Sequence, residues 1–202
     1  NALSNLSRDP VEILNTHPSQ TVFVDLGENL DSTEPNAELT RLVEAYAKRE
    51  PQSAAVAYYK ARLAYLDKDY AAAAELLTPD RSESLRDYEY AWASVRVRAL
   101  QRAGRTGDAL RVAGDYYEQA GDPWLLAVVH ALDGNTAKLT AAMQQIENET
   151  EFSPADLYND SEVGPLLREN PSFQAIREKW PAPAEEPAEG AAETDLESAE
   201  SL

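Results

Sequence analysis

Three short turns recur in the middle of the chain at nearly equal intervals, each flanked on both sides by helical patterning. Lys68-Asp69-Tyr70 lies over Gly104-Arg105-Thr106, which lies over Gly134-Asn135-Thr136, at offsets of 36 and then 30 residues. A period in this range marks stacked helix-turn-helix units, none of which buries its apolar face without a neighbour. The register extends into the flanks. Ala61, Val97 and Ala127 stand nine positions before the last residue of each turn, and Ala73, Ala109 and Leu139 three positions after it. Small residues here let paired helices approach closely; Val97 and Leu139 depart from that pattern. Gly104 and Gly134 sit where a helix end calls for a left-handed residue.

The rest of the chain is organised around these units. Over 38–49, Leu39, Leu42, Val43 and Tyr46 form one apolar stripe, as in an amphipathic helix that Glu50-Pro51 ends. Helix pairs are then predicted at 53–66 with 70–77 (stopped by Pro79), 88–103 with 107–119, and 124–132 with 136–148. Ahead of the helices, residues 3–35 form an arm. Asp9-Pro10 opens a short helix through Leu14, while Thr21-Val22-Phe23-Val24-Asp25-Leu26 reads as an extended piece. The arm is expected to cover the apolar faces of the first helices rather than to form a strand-containing unit of its own. Asn1-Ala2 resembles the scar of a cleaved expression tag, with native sequence beginning near Leu3 and an upstream segment removed. That leans towards an exported or membrane-anchored bacterial protein. After a capping segment at 149–180, opened by Ser153-Pro154, residues 181–202 hold seven Asp or Glu, no Lys or Arg, and much Ala and Pro. Such a tail is expected to be disordered alone.

The segments AYLDKDYAAAAELL, ALQRAGRTGDALRVAGDYYEQAGDP and ALDGNTAKLTAAMQQI together make residues 36–148 resemble the tetratricopeptide repeat family. DLYNDSEVGPLLRENPSFQAIREKW looks like the piece that closes such arrays, with Leu167-Arg168, Pro171 and Phe173 at its recurring positions. The resemblance implies an all-α fold, a right-handed superhelix of antiparallel helix pairs. It also implies a protein-binding function, with the first helix of each pair lining a concave face that holds a peptide.

Several kinds of chemistry have no sequence support. No cysteine is present, which excludes disulfides and thiol nucleophiles. The net charge of -18 opposes binding to nucleic acid and to anionic membrane surfaces. No apolar run is long enough to span a membrane. His17 and His130 lack the spacing of a zinc helix, and there is no phosphate-binding glycine loop or nucleophile elbow. An oxygen-ligand metal site within 156–162 is conceivable, but the glycine-containing calcium-loop spacing is absent. No cofactor and no metal is therefore expected, and a carboxylate enzyme is the least favoured class.

Projected onto the resemblance, the groove is Tyr58, Arg62 and Tyr65 from the first pair, Ser94, Arg98, Gln101 and Arg102 from the second, and Trp124 and Val128 from the third. Arginine holds carboxylates by two-point contact, and Tyr and Trp add rigid contact area. The set suits an acidic peptide or a C-terminal carboxylate. The acidic tail of the same or a neighbouring molecule is one candidate. The alternative is that the arginines pair with the chain's own acids, Arg62 with Asp69 for instance, in a structural or oligomerisation domain.

Overall fold

A computed structural model describes residues 9–78 and 89–183. The proposed tag scar, Pro79 and all but the first three residues of the acidic tail lie outside the described residues, as does any contact the tail makes. Among the described residues all regular structure is helical, with no strand.

Helices α1 (Pro10–Thr16) and α2 (Gln20–Leu30) come from the arm, and α3 (Ala37–Ala47) follows. Three helix pairs succeed them: α4 (Ala54–Leu66) with α5 (Tyr70–Leu76), α6 (Glu89–Arg102) with α7 (Thr106–Ala120), and α8 (Trp124–Leu132) with α9 (Thr136–Glu149). The chain closes with a 3-10 segment (Pro154–Asn159), α10 (Val163–Glu169), a second 3-10 turn (Pro171–Phe173) and α11 (Gln174–Lys179).

Each pair packs against itself through its short turn, and the three turns share a backbone conformation at one position. Lys68, Gly104 and Gly134 have φ of 65°, 75° and 69°. The first is the described chain's one non-glycine at positive φ, held at a position its two counterparts give to glycine. Asp69 and Asn135 then cap the following helix by accepting from Ala72 N and Lys138 N. The six register residues Ala61, Val97, Ala127, Ala73, Ala109 and Leu139 are all 0% exposed. The register read from the sequence thus coincides, among the described residues, with a shared turn conformation and with buried positions.

Stacking runs along the chain. The first helices of successive pairs touch, α4 to α6 to α8, and α8 then touches α10. Buried side chains fall into three clusters in chain order, with Trp124 and Leu126 against both the middle and the last. The closing segment buries Leu167, Phe173 and Ile176 with Leu139, Met143 and Ile146 of α9, covering a face that the last pair would otherwise expose.

The arm differs from its sequence reading in one respect. Residues 21–26 are helical, inside α2, and not extended. Ser19 caps this helix by accepting from Val22 N. Phe23, Val24 and Gly27 are its buried residues, and the helix packs on α3 and α4. Phe23 stacks on Tyr46 (centroids 4.2 Å apart) and meets Tyr59 edge-on at 5.4 Å. The arm does cover the apolar faces of the first helices. Among the described residues no helix is long and apolar enough to cross a membrane.

Candidate functional site

The first helices of the pairs carry the proposed groove residues, and the chain's own acids occupy its arginines. Arg62 on α4 donates from Nε to both oxygens of Asp31 at 3.1 Å and from Nη2 to Oδ1 at 2.9 Å and to Ser32 O at 3.0 Å. The partner is thus the end of the arm, not Asp69. Arg98 on α6 donates from Nη2 to Asp160 Oδ2 at 2.5 Å and from Nε to Ser94 Oγ at 3.3 Å. Its Nη1 also lies 3.9 Å from Glu162 Oε1. Arg102 donates to Glu162 Oε2 at 2.8 Å, and Tyr65 donates its hydroxyl to Glu162 Oε1 at 2.5 Å. The acids come from both ends of the fold, the arm supplying one and the closing segment two.

The Arg98–Asp160 pair is the most enclosed of these, with side chains only 12% and 11% exposed. Burial alone would raise the Asp160 pKa. The adjacent Arg98 charge and hydrogen bond, with N–H groups donated by Val163 and Glu162, outweigh it and hold the carboxyl below its usual range. Burial likewise pushes the Tyr58 hydroxyl up to about 12, against the opposing pull of Arg62. Burial, reinforced by the bond to Glu162, raises Tyr65 as well. Of the remaining groove residues, Gln101 keeps a buried Oε1 without a partner. Val128 is fully buried in the last core cluster and presents nothing to a ligand. Trp124 is half-buried and lies elsewhere, in a cleft. His130 is half-buried, and burial lowers its pKa. Among the described residues no cluster of His, Asp or Glu could hold a metal ion.

The cleft has no counterpart in the groove read from the sequence beyond Trp124. It has a volume of about 730 Å³ and opens between α6, the end of α7, the start of α8 and the 3-10 segment. Tyr90, Tyr116, Trp124 and Phe152 line it, with Asp122, Asp156, Asn159 and Asp160. Tyr90 meets Tyr116 edge-on at 5.9 Å, and Trp124 meets Phe152 at 6.3 Å. Tyr90 (40%) and Phe152 (56%) are the large hydrophobic side chains the described chain leaves most exposed. Local structure holds the carboxylates in place. Asp122 Oδ1 accepts from Trp124 N at 2.9 Å, and Asp156 Oδ2 accepts from Ser153 N at 3.1 Å within a capping box. No Lys or Arg of the described residues pairs with either. The one available sequence signal was Phe152, an aromatic stranded in a polar loop between α9 and Ser153-Pro154.

Comparison with known proteins adds nothing to this geometry: no family model, no curated protein and no solved structure matches the chain.

Proposed function

We propose that the chain is a non-catalytic interaction module of the tetratricopeptide type, its helix pairs wound into a right-handed superhelix, which binds a polypeptide segment. The aromatic cleft carries this reading. A rigid helical frame holds four aromatic rings around an open space, two of them more exposed than any other large apolar side chain described. Exposed aromatics concentrated at one concavity are the signature of a binding surface. The turn conformations, the six buried register residues and the contacts between successive first helices support the repeat assignment. Asp160, whose pKa is lowered, is ionised at neutral pH and already engaged by Arg98 in an ion pair.

The arginine row does not define the ligand. An acidic peptide there would have to displace Asp31, Asp160 and Glu162 from arginines they already neutralise. Selection from a random peptide display library, followed by binding to a Tyr90→Ala/Phe152→Ala variant, tests the proposal. Binders lost in that variant are expected. A library that yields no binder, or only binders indifferent to both substitutions, overturns it.

The internal pairing of Arg62, Arg98 and Arg102 favours a second reading, a structural or oligomerisation domain. On that reading the cleft aromatics are covered by a second copy. Sedimentation then shows a dimer that Phe152→Ala dissociates; a monomer at all concentrations rejects it.

A further inference from the structure

The cleft that the interaction-module reading rests on also indicates the charge of what enters it. Its walls are aromatic faces and its charged groups are carboxylates. Asp160 is neutralised by Arg98, but Asp122 and Asp156 face the same space with no Lys or Arg of the described residues beside them. Each spends one oxygen on a backbone N–H. An apolar ligand would strip water from both carboxylates and return nothing. An anionic ligand would be repelled by them and by a chain of net charge -18. A cation satisfies both halves of the lining: its charge meets the carboxylates, and its face or head packs on the electron-rich rings. A metal ion finds too few ligands, because the described residues hold no cluster of three ligating side chains there. The volume of about 730 Å³ exceeds what one ammonium group fills and suits a few side chains of a chain laid across the opening.

We propose that the cleft binds a basic polypeptide segment, whose Arg or Lys side chains enter between Tyr90, Tyr116, Trp124 and Phe152 and pair with Asp122 and Asp156. The preference is thus opposite in charge to that suggested by the arginine row, whose cations the fold has already used.

The test is fluorescence anisotropy on the full chain with labelled nonapeptides of Gly and Ala carrying three Arg, three Lys, three Glu or three Leu. The Arg and Lys peptides are expected to bind, more weakly as salt rises, and the Glu and Leu peptides not to bind. Asp122→Asn/Asp156→Asn keeps the backbone bonds and removes two charges. It is expected to weaken the Arg peptide about tenfold or more, as is Phe152→Ala. Asp25→Asn/Glu44→Gln removes the same charge from exposed sites on α2 and α3. It is expected to change binding less than about twofold, which separates a site from the general field. Unchanged far-ultraviolet circular dichroism and melting temperature show that each variant is folded. Equal loss in both double variants, or equal binding of the Leu or Glu peptide, overturns the proposal, as does arginine methyl ester matching the peptide. A library binder that is not basic but still needs Tyr90 and Phe152 leaves the interaction module standing and removes only the cation.

Discussion

At the scale of single residues, the turn at 68, 104 and 134 shows how much of a repeat is written in individual positions. Glycine marks the second and third turns because a left-handed residue is needed there, and that much was legible. The first turn carries Lys68 at φ 65°, where a side chain is strained by roughly 1 kcal/mol. Lys68→Gly relieves that strain at some cost in unfolded-state entropy, and a net gain of about 0.5 kcal/mol is expected. Gly104→Ala imposes the strain instead and is expected to lose about 1 kcal/mol. Urea denaturation of the two variants measures both, and a Lys68→Gly variant less stable than the parent would contradict the equivalence of the turns. The partners of the arginines were not legible for a different reason. Asp31 is 31 residues from Arg62 and Asp160 is 62 from Arg98. No local pattern picks those two carboxylates out of the 36 in the chain.

At the scale of elements, α2 is where local reading and packing part company. A run containing two valines and a phenylalanine has the composition of a strand, and intrinsic preference alone supports that. The spacing of Phe23, Gly27 and Leu30 is helical, and burial against α3 and α4 decides between them. Gly27 is the contact point. A Cβ there would lie 2.4 Å from Tyr59 Cζ and 2.6 Å from its hydroxyl oxygen, a clash with the side chain whose hydroxyl donates to Val24 O at 3.1 Å. Alanine normally favours a helix over glycine by up to about 1 kcal/mol. Here it must push away a buried tyrosine that also packs on Phe23, so Gly27→Ala is expected to destabilise by about 1–3 kcal/mol. Tyr59→Phe keeps the ring and removes the buried bond, at about 1 kcal/mol. A Gly27→Ala variant as stable as the parent in thermal denaturation would mean that α2 does not dock as described.

At the scale of the whole molecule, the two ends of the fold close on its middle through charge. The arm brings Asp31 to Arg62, and the closing segment brings Asp160 and Glu162 to Arg98 and Arg102. The all-helical stack was legible because periodicity and turns are local signals. The cleft was not, because its lining gathers residues from 90 to 160 that only the packed stack makes neighbours. The same long-range closure sets the response to acid. At neutral pH the net charge of -18 works against compactness, so a moderate fall in pH relieves repulsion and raises stability. Asp160 works in the other direction. Its folded pKa lies below the unfolded value of about 4, so its contribution is complete above that value and is lost as pH falls through the folded pKa. Asp160→Asn replaces the closest partner of the enclosed Arg98 with a neutral one and leaves only Glu162, 3.9 Å away, to offset its charge, and is expected to cost about 2–3 kcal/mol at pH 7. Once protonated, the Asp160 carboxyl is itself neutral and nearly the shape of the amide that replaces it in the variant. The stability gap between parent and variant should therefore narrow steadily below about pH 4. Denaturation midpoints of both proteins from neutral pH down to strong acid measure that gap. A gap that stays constant across the range would show that the Arg98–Asp160 pair does not fasten the closing segment to the stack.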